Sequence, residues 1–245
     1  MFLLALRHGL TFGLKCELYR SEITCLGYVV NRDGVRLETT RVQAILDMET
    51  PTSVVEVQTY LGCIQFCAGF LGTEFASITA PLSDLTRKEH TSFVWGDEQE
   101  EAVKRLKTLL TAAATLRFYD SERATMVVTD GCKKGVGAAL LQKHGGQWYP
   151  VFSLSKKLNP IQSRWTTSQF ELYALIVAVE RWRPYLVDKP FLVVTDHQAL
   201  TYLRQPRLFT GRRLCRWPLL LSEFQFFVKH RAGEENGFAD CLSRL

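Results

Sequence analysis

Thr125-Met126-Val127-Val128-Thr129-Asp130 is a short apolar, β-branched run that stops at an acidic residue, and Phe191-Leu192-Val193-Val194-Thr195-Asp196 is another. Runs of this length and composition read as strands. Between them, Gly135–Gln142 reads as a second strand, Gly145-Gly146 as a turn and Trp148–Ser153 as a third strand, together an antiparallel meander. A helix follows. Thr167 or Ser168 suits its N-cap, Leu172, Leu175, Ile176 and Val179 form one apolar stripe, and Pro184 marks its end. A strand, a crossover helix and a parallel strand join in a right-handed sense, so 125–130 and 191–196 are expected side by side with helix 167–183 on one face. Short helices around 198–203 and 213–223, a strand at 224–230 and a last helix from about Asn236 complete the order βββαβαβα with one extra helix. The expected fold class is α/β, a mixed five-stranded sheet flanked by helices.

Upstream the texture differs. The first 46 residues read as small β pieces around Asn31-Arg32-Asp33-Gly34, where Asp-Gly is a hairpin signal. From Thr39 the spacing turns helical, with Val42, Ile45 and Leu46 on one face. After Pro51, Val57, Leu61, Ile64 and Phe70 predict a helix over 54–71, with Cys63 and Cys67 as buried neighbours on it. Pro81 is expected to break the next segment. A further helix over 97–110 turns Val103, Leu106, Leu109 and Leu110 inward and keeps Asp97, Glu98, Glu100 and Glu101 near its positive end.

Composition sets bounds. In 245 residues, 47% apolar and 22% charged content matches folded proteins and excludes pervasive disorder. The seven cysteines form no C-x-x-C pair, which argues against a disulfide framework or a zinc site. No apolar run reaches the ~18 residues of a membrane span, and Met1–Leu6 is too short for a signal-peptide core, so an intracellular location, cytoplasmic or nuclear, is expected. The net charge of +5 conceals an asymmetry: residues 1–120 carry −3 and residues 121–245 carry +8. A basic half suits a polyanion, although a merely solvated basic surface fits the charge equally well.

The chemistry gathers at one predicted edge. Ligands of open α/β sheets bind beyond the carboxyl ends of parallel strands, where Asp130 and Asp196 would project together. Glu171 in the first turn of the crossover helix and Asp240 in the first turn of the last helix can lean over the same edge. Each acid also has a plain structural reading: Glu171 completes a capping box with Ser168, Asp130 and Asp196 are turn residues, and Asp240 favours a helix start. Jointly they suit two divalent cations. Hard oxygen ligands select Mg²⁺, with Mn²⁺ as a substitute, and two such ions serve phosphodiester cleavage.

Several ordered blocks then carry a resemblance. They are Thr129-Asp130 with Gly135-Val136-Gly137-Ala138; Phe152-Ser153 with Lys157-Leu158-Asn159-Pro160; Glu171-Leu172 running into Trp182-Arg183-Pro184-Tyr185-Leu186; Thr195-Asp196-His197; Arg216-Trp217; and the terminal stretch His230–Leu245. The chain resembles the polymerase polyprotein of gypsy-class long-terminal-repeat retrotransposons over nearly its whole length. The resemblance implies three parts: 1–38 as the remnant of a reverse transcriptase palm, 39–120 as a helical thumb or connection unit, and 121–245 as a ribonuclease H domain with its characteristic mixed sheet. Pro51-Thr52, Tyr60-Leu61-Gly62, Ala80-Pro81-Leu82 and Phe93-Val94-Trp95 carry the thumb assignment.

By the same resemblance Asp130 bridges two Mg²⁺ ions, Glu171 and Asp196 complete one site, Asp240 completes the other, and His230 with Asn236 matches a mobile histidine loop. The implied activity is endonucleolytic cleavage of the RNA strand of RNA–DNA hybrids. Lys156, Lys157, Arg164, Arg212, Arg213, Arg216 and Asn236 are the candidate nucleic-acid contacts. The expected partners are the hybrid and the rest of a polyprotein, with neither a membrane nor a small-molecule cofactor. Two departures stand out. No Y-x-D-D occurs, so polymerase activity from this chain alone is not expected. Gln169-Phe170 before the acid and Gly131-Cys132 after Asp130 are unusual for the family; neither pair is expected to touch a ligand, although a residue such as Phe170 is able to alter the hybrid-facing surface. A catalytically inactive or domesticated fragment and a duplex-cutting nuclease of the same fold are the alternatives.

Overall fold

The computed structural model describes residues 7–9, 19–87, 93–197 and 216–231. The expected helices at 198–203 and from Asn236 lie outside them.

The first strands arise where sequence predicted a hairpin. β1 (Glu22–Cys25), β2 (Tyr28–Asn31) and β3 (Gly34–Leu37) form an antiparallel sheet in that order. Asn31 Oδ1 accepts the Asp33 and Gly34 amides at 2.8 and 3.2 Å, closing the β2–β3 turn. Gly34 sits at φ +145°, and a methyl group there would lie 2.0 Å from the Leu116 carbonyl oxygen, so only glycine admits this approach.

Helices α1 (Thr39–Leu46), α2 (Val54–Gln65), α3 (Phe75–Leu85) and α4 (Asp97–Thr111) pack against that sheet. Leu37, Ile45, Val57, Tyr60, Leu82 and Leu106 share one core, so its apolar packing does not break at residue 38. α2 ends at Gln65 and a short 3₁₀ turn, Ala68–Phe70, follows, where the sequence predicted one helix to 71. Cys67, Phe70 and Leu71 are buried, but beyond the helix; burial keeps up the apolar pattern after the backbone has changed. Cys63 stays on α2 and is only partly buried. Pro81, expected to break the chain, lies inside α3. The buried Phe75, Ile78, Leu82 and Leu85 hold that helix together, and the missing N–H forfeits one bond.

The second sheet runs in the order β6-β5-β4-β7-β8, from β4 (Thr125–Gly131), β5 (Gly135–His144), β6 (Gln147–Lys157), β7 (Phe191–Thr195) and β8 (Phe226–His230). β4, β5 and β6 are antiparallel, while β4–β7 and β7–β8 are parallel. This is the mixed α/β sheet that the sequence predicted. The parallel register, Met126 with Leu192 and Val128 with Val194, brings the ends of the two V-V-T-D runs level.

α5 (Thr167–Arg181) crosses one face and buries Leu172, Leu175, Ile176 and Val179 against Val127, Leu140 and Val193. Each such side chain contributes about 1.5–3 kcal/mol by its removal from water. Its N-cap is Thr166, whose amide donates to Gln169 Oε1 at 3.0 Å. Gln169, not Glu171, therefore closes the capping interaction, and Glu171 falls in the second turn. Pro184 lies within the short α6 (Arg183–Leu186) and α5 stops before it, because Trp182 leaves helical geometry first. α7 (Arg216–Leu221) precedes β8.

Candidate metal centre

Asp130 near the end of β4 and Asp196 just after β7 are brought level by the parallel register, and Glu171 reaches them from α5. One carboxylate oxygen from each of Asp130, Glu171 and Asp196 lies within 4.8 Å of the others. Asp196 is exposed and Asp130 partly so, whereas Glu171 is 2% exposed.

Three contacts set the geometry of Glu171. The Gly131 amide donates to its Oε1 at 2.8 Å, and the Thr195 hydroxyl donates to its Oε2 at 3.3 Å. The His197 amide in turn donates to Thr195 Oγ1 at 3.1 Å. Gly131 is glycine for a steric reason: a methyl group there would stand 2.8 Å from the Phe170 carbonyl carbon, so α5 seats on β4 only because that position is bare. The expectation that Gly131 touches no ligand is thus corrected, since its amide orients one carboxylate. Phe170, read from sequence as able to alter the hybrid-facing surface, is instead a core residue. It is 3% exposed and packs with Val136, Leu158 and Ala174, because the second helical turn faces the sheet at that position.

The electrostatics follow from crowding. Burial pushes the Glu171 carboxyl up to about 8, with Asp196 and then Asp130 adding to the rise. Asp130 is raised as well, first by burial, then by Asp196 and Glu74. Three carboxylates gathered this closely, all offering hard oxygen atoms, fit a divalent cation of the Mg²⁺ or Mn²⁺ kind.

The other predicted site residues scatter. Asp240, Asn236, Arg212 and Arg213 lie outside the described residues, and Arg216 opens α7. His230 ends β8 with Nε2 2.9 Å from the Asp196 carbonyl oxygen, a contact in which the ring N–H donates and fixes the backbone of an acid. Lys156 Nζ donates to Tyr173 Oη at 2.8 Å, and Arg164 is exposed on the short 3₁₀ turn Gln162–Arg164. Lys157 is committed elsewhere, in an ion pair with Asp84 of α3 at 3.0 Å. Sequence reasoning missed Thr195 and the Ser168–His197 pair, whose Oγ and Nε2 are 3.0 Å apart. A threonine closing an apolar strand run beside an acid is the sequence signal that could have found the first.

Residues 120–224 match the family described as the RNase H-like domain found in reverse transcriptase. The segment is a reverse-transcriptase ribonuclease H-like domain. Beyond it, the chain is a relative of retrotransposon polyproteins. Transposon Tf2-3 polyprotein and Transposon Tf2-4 polyprotein of Schizosaccharomyces pombe are each 31% identical to it over 238 residues, 94% of this chain and 18% of theirs. The chain therefore spans a minor part of those relatives. A foamy viral protease-reverse transcriptase in complex with RNA/DNA hybrid has a TM-score of 0.69 at 20% identity, over 88% of this chain and 30% of that one. The foamy viral protease-reverse transcriptase in complex with dsDNA gives 0.67 at 22% identity, over 86% of this chain and 45% of that one. At such identities the likeness establishes the fold. Among the described residues, no helix is long and apolar enough to cross a membrane.

Proposed function

We propose that the ribonuclease H-like domain hydrolyses the RNA strand of RNA–DNA hybrids, as part of a longer retrotransposon reverse transcriptase. The observation that carries this reading is the clustering of Asp130, Glu171 and Asp196 oxygens within 4.8 Å at the carboxyl ends of β4 and β7. Asp130, Glu171 and Asp196 would hold a divalent cation, and Asp240 is the remaining expected ligand for a second. When bound, Mg²⁺ or Mn²⁺ supplies the positive charge that activates water and offsets charge on the leaving oxygen. Water then adds at phosphorus and the bond to the 3′ oxygen breaks, leaving 3′-hydroxyl and 5′-phosphate ends.

The protein's own part is to hold acids that repel one another. The Gly131 amide and Thr195 hydroxyl fix Glu171, and His230 fixes the Asp196 backbone. The net +8 of residues 121–245 suits phosphate contacts, and Lys156 and Arg164 are exposed to make them. Selectivity for a hybrid would rest on backbone shape and 2′-hydroxyl contacts. Residues 39–120 serve in this reading as the thumb-like unit before a nuclease of 121–245. The split of apolar cores supports it, since Leu116 packs with the helices and Tyr119 with the sheet.

The test is cleavage of a labelled RNA–DNA hybrid by the purified chain, with and without Mg²⁺, beside duplex DNA and the Asp130→Asn variant. The expected result is Mg²⁺-dependent cutting of the RNA strand that Asp130→Asn abolishes while its circular dichroism stays native. Cutting by Asp130→Asn at the wild-type rate overturns the assignment.

A further inference from the structure

The helical unit reaches the acid cluster along one row of the sheet. Asp130 of β4 pairs with Gly137 of β5, and Gly137 pairs with Ser155 of β6. Residues directly opposite one another on neighbouring strands project from the same face, so Asp130 points to the face that Gly137 and Ser155 present. That face is occupied by the turn before α3. A methyl group at Gly137 would lie 2.2 Å from the Thr73 carbonyl oxygen and 2.6 Å from its Cα, both backbone atoms. Ser155 Oγ donates to that same carbonyl at 3.0 Å and accepts the Ala76 amide at 2.8 Å. At the same-face positions to either side on β6, Ser153 Oγ donates to the Gly69 carbonyl at 2.7 Å, and Lys157 pairs with Asp84 at 3.0 Å. The turn Thr73–Ala76 is thus fastened across Gly137, next to Asp130, with Glu74 in its middle.

Glu74 is charged, partly exposed and ion-paired with Arg105 of α4. It follows Thr73, whose backbone lies over Gly137 in the strand row that holds Asp130. The turn's contacts with the sheet are made by its neighbours, since Thr73 is buried against it and the Ala76 amide donates to Ser155 Oγ, which leaves the Glu74 side chain to Arg105.

We propose that the Thr73-Glu74 turn of the helical unit forms one wall of the nuclease's cation centre: Thr73, seated on Gly137, positions Asp130, and Glu74 adds negative charge that strengthens divalent-cation binding. Glu74 is a positioning residue here and not a ligand. Arg105 opposes it by drawing off part of that charge. The proposal rests on the cation-binding reading above. It implies that the centre is built by two parts of the chain that the family match at 120–224 separates.

The experiment is a Mn²⁺ titration of the full chain, followed by the electron paramagnetic resonance of free Mn²⁺, with melting in EDTA measured alongside. Glu74→Gln is expected to weaken Mn²⁺ binding about three- to tenfold, and Arg105→Gln to strengthen it by a similar factor. Both side chains are substantially exposed, so melting should move no more than loss of a surface ion pair moves it. Gly137→Ala is expected to weaken binding with no change of charge, by forcing Thr73 away from the row that holds Asp130. Opposite signs for Glu74→Gln and Arg105→Gln are what a merely structural ion pair cannot produce, since both remove the same bond. Wild-type Mn²⁺ affinity in both variants overturns the proposal even if Gly137→Ala fails to fold. A wild-type chain that binds Mn²⁺ no better than Asp130→Asn overturns the cation centre itself, and this proposal with it.

Discussion

Replacing Glu171 by glutamine keeps the shape of the most buried acid in the cluster and removes its charge. The folded chain holds the Glu171 proton up to about 8, against an ordinary value of 4.5. A raised carboxyl means that the folded state binds the proton more tightly than the unfolded state. Stability from this group is therefore fully present below pH ~4.5 and is lost as pH rises toward 8. At about 1.4 kcal/mol per pH unit, the loss reaches roughly 2 kcal/mol at pH 6 and about 4 kcal/mol at pH 8. Glutamine escapes this loss but disturbs the Thr195 contact, which costs about 1 kcal/mol. In EDTA at pH 8, Glu171→Gln should therefore be more stable than wild type by about 2–3 kcal/mol, or on the order of 5–10 °C in melting temperature for a chain of this size. The gap should close as pH falls toward 5.5, because wild-type Glu171 is then protonated. Mg²⁺ should reverse the order at pH 8, stabilising wild type more than the variant, and hybrid cleavage should be lost. Thermal melts of both proteins from pH 5.5 to 8, with EDTA and with Mg²⁺, decide the matter. The difference between the two proteins isolates Glu171 together with its coupling to Asp196 and Asp130, since distant titrating groups cancel. A difference that does not vary with pH in EDTA refutes the reasoning.

Gly131→Ala should lower stability by about 1–3 kcal/mol and reduce cleavage more than hybrid binding, because the new methyl presses on the Phe170 backbone and moves Glu171 with it; denaturant unfolding and separate kcat and KM values check this. Charge removal at Lys156 or Arg164 should each lower the slope of log hybrid affinity against log salt by about one unit, whereas Lys157→Gln should leave the slope unchanged, its charge being spent on Asp84. Binding isotherms at several salt concentrations distinguish these outcomes.

Much of this was legible in the residues, and the reasons are specific. The runs 125–130 and 191–196 read as strands because apolar β-branched composition is local, and their parallel pairing followed because a crossover helix permits one hand. The acids at their ends then had to come level. Boundaries were less legible. The apolar pattern of Cys67, Phe70 and Leu71 persists beyond α2 since burial, which it records, does not require a helix. Pro81 read as a break because the local rule ignores the buried face that holds α3 through it.

What the sequence determined by itself was the sheet, the direction of its central strands and the meeting of Asp130, Glu171 and Asp196 at its edge, all consequences of side-chain period and chain connectivity. Tertiary structure alone decided which groups restrain those acids. That the Gly131 amide and Thr195 hydroxyl hold Glu171, that His230 pins the backbone of Asp196, and that Thr73 of a distant turn sits on Gly137 opposite Asp130 all depend on backbones approaching within a methyl's width. No periodicity encodes such contacts. A glycine in sequence marks only a missing side chain; what comes to occupy that space is fixed when separate elements pack.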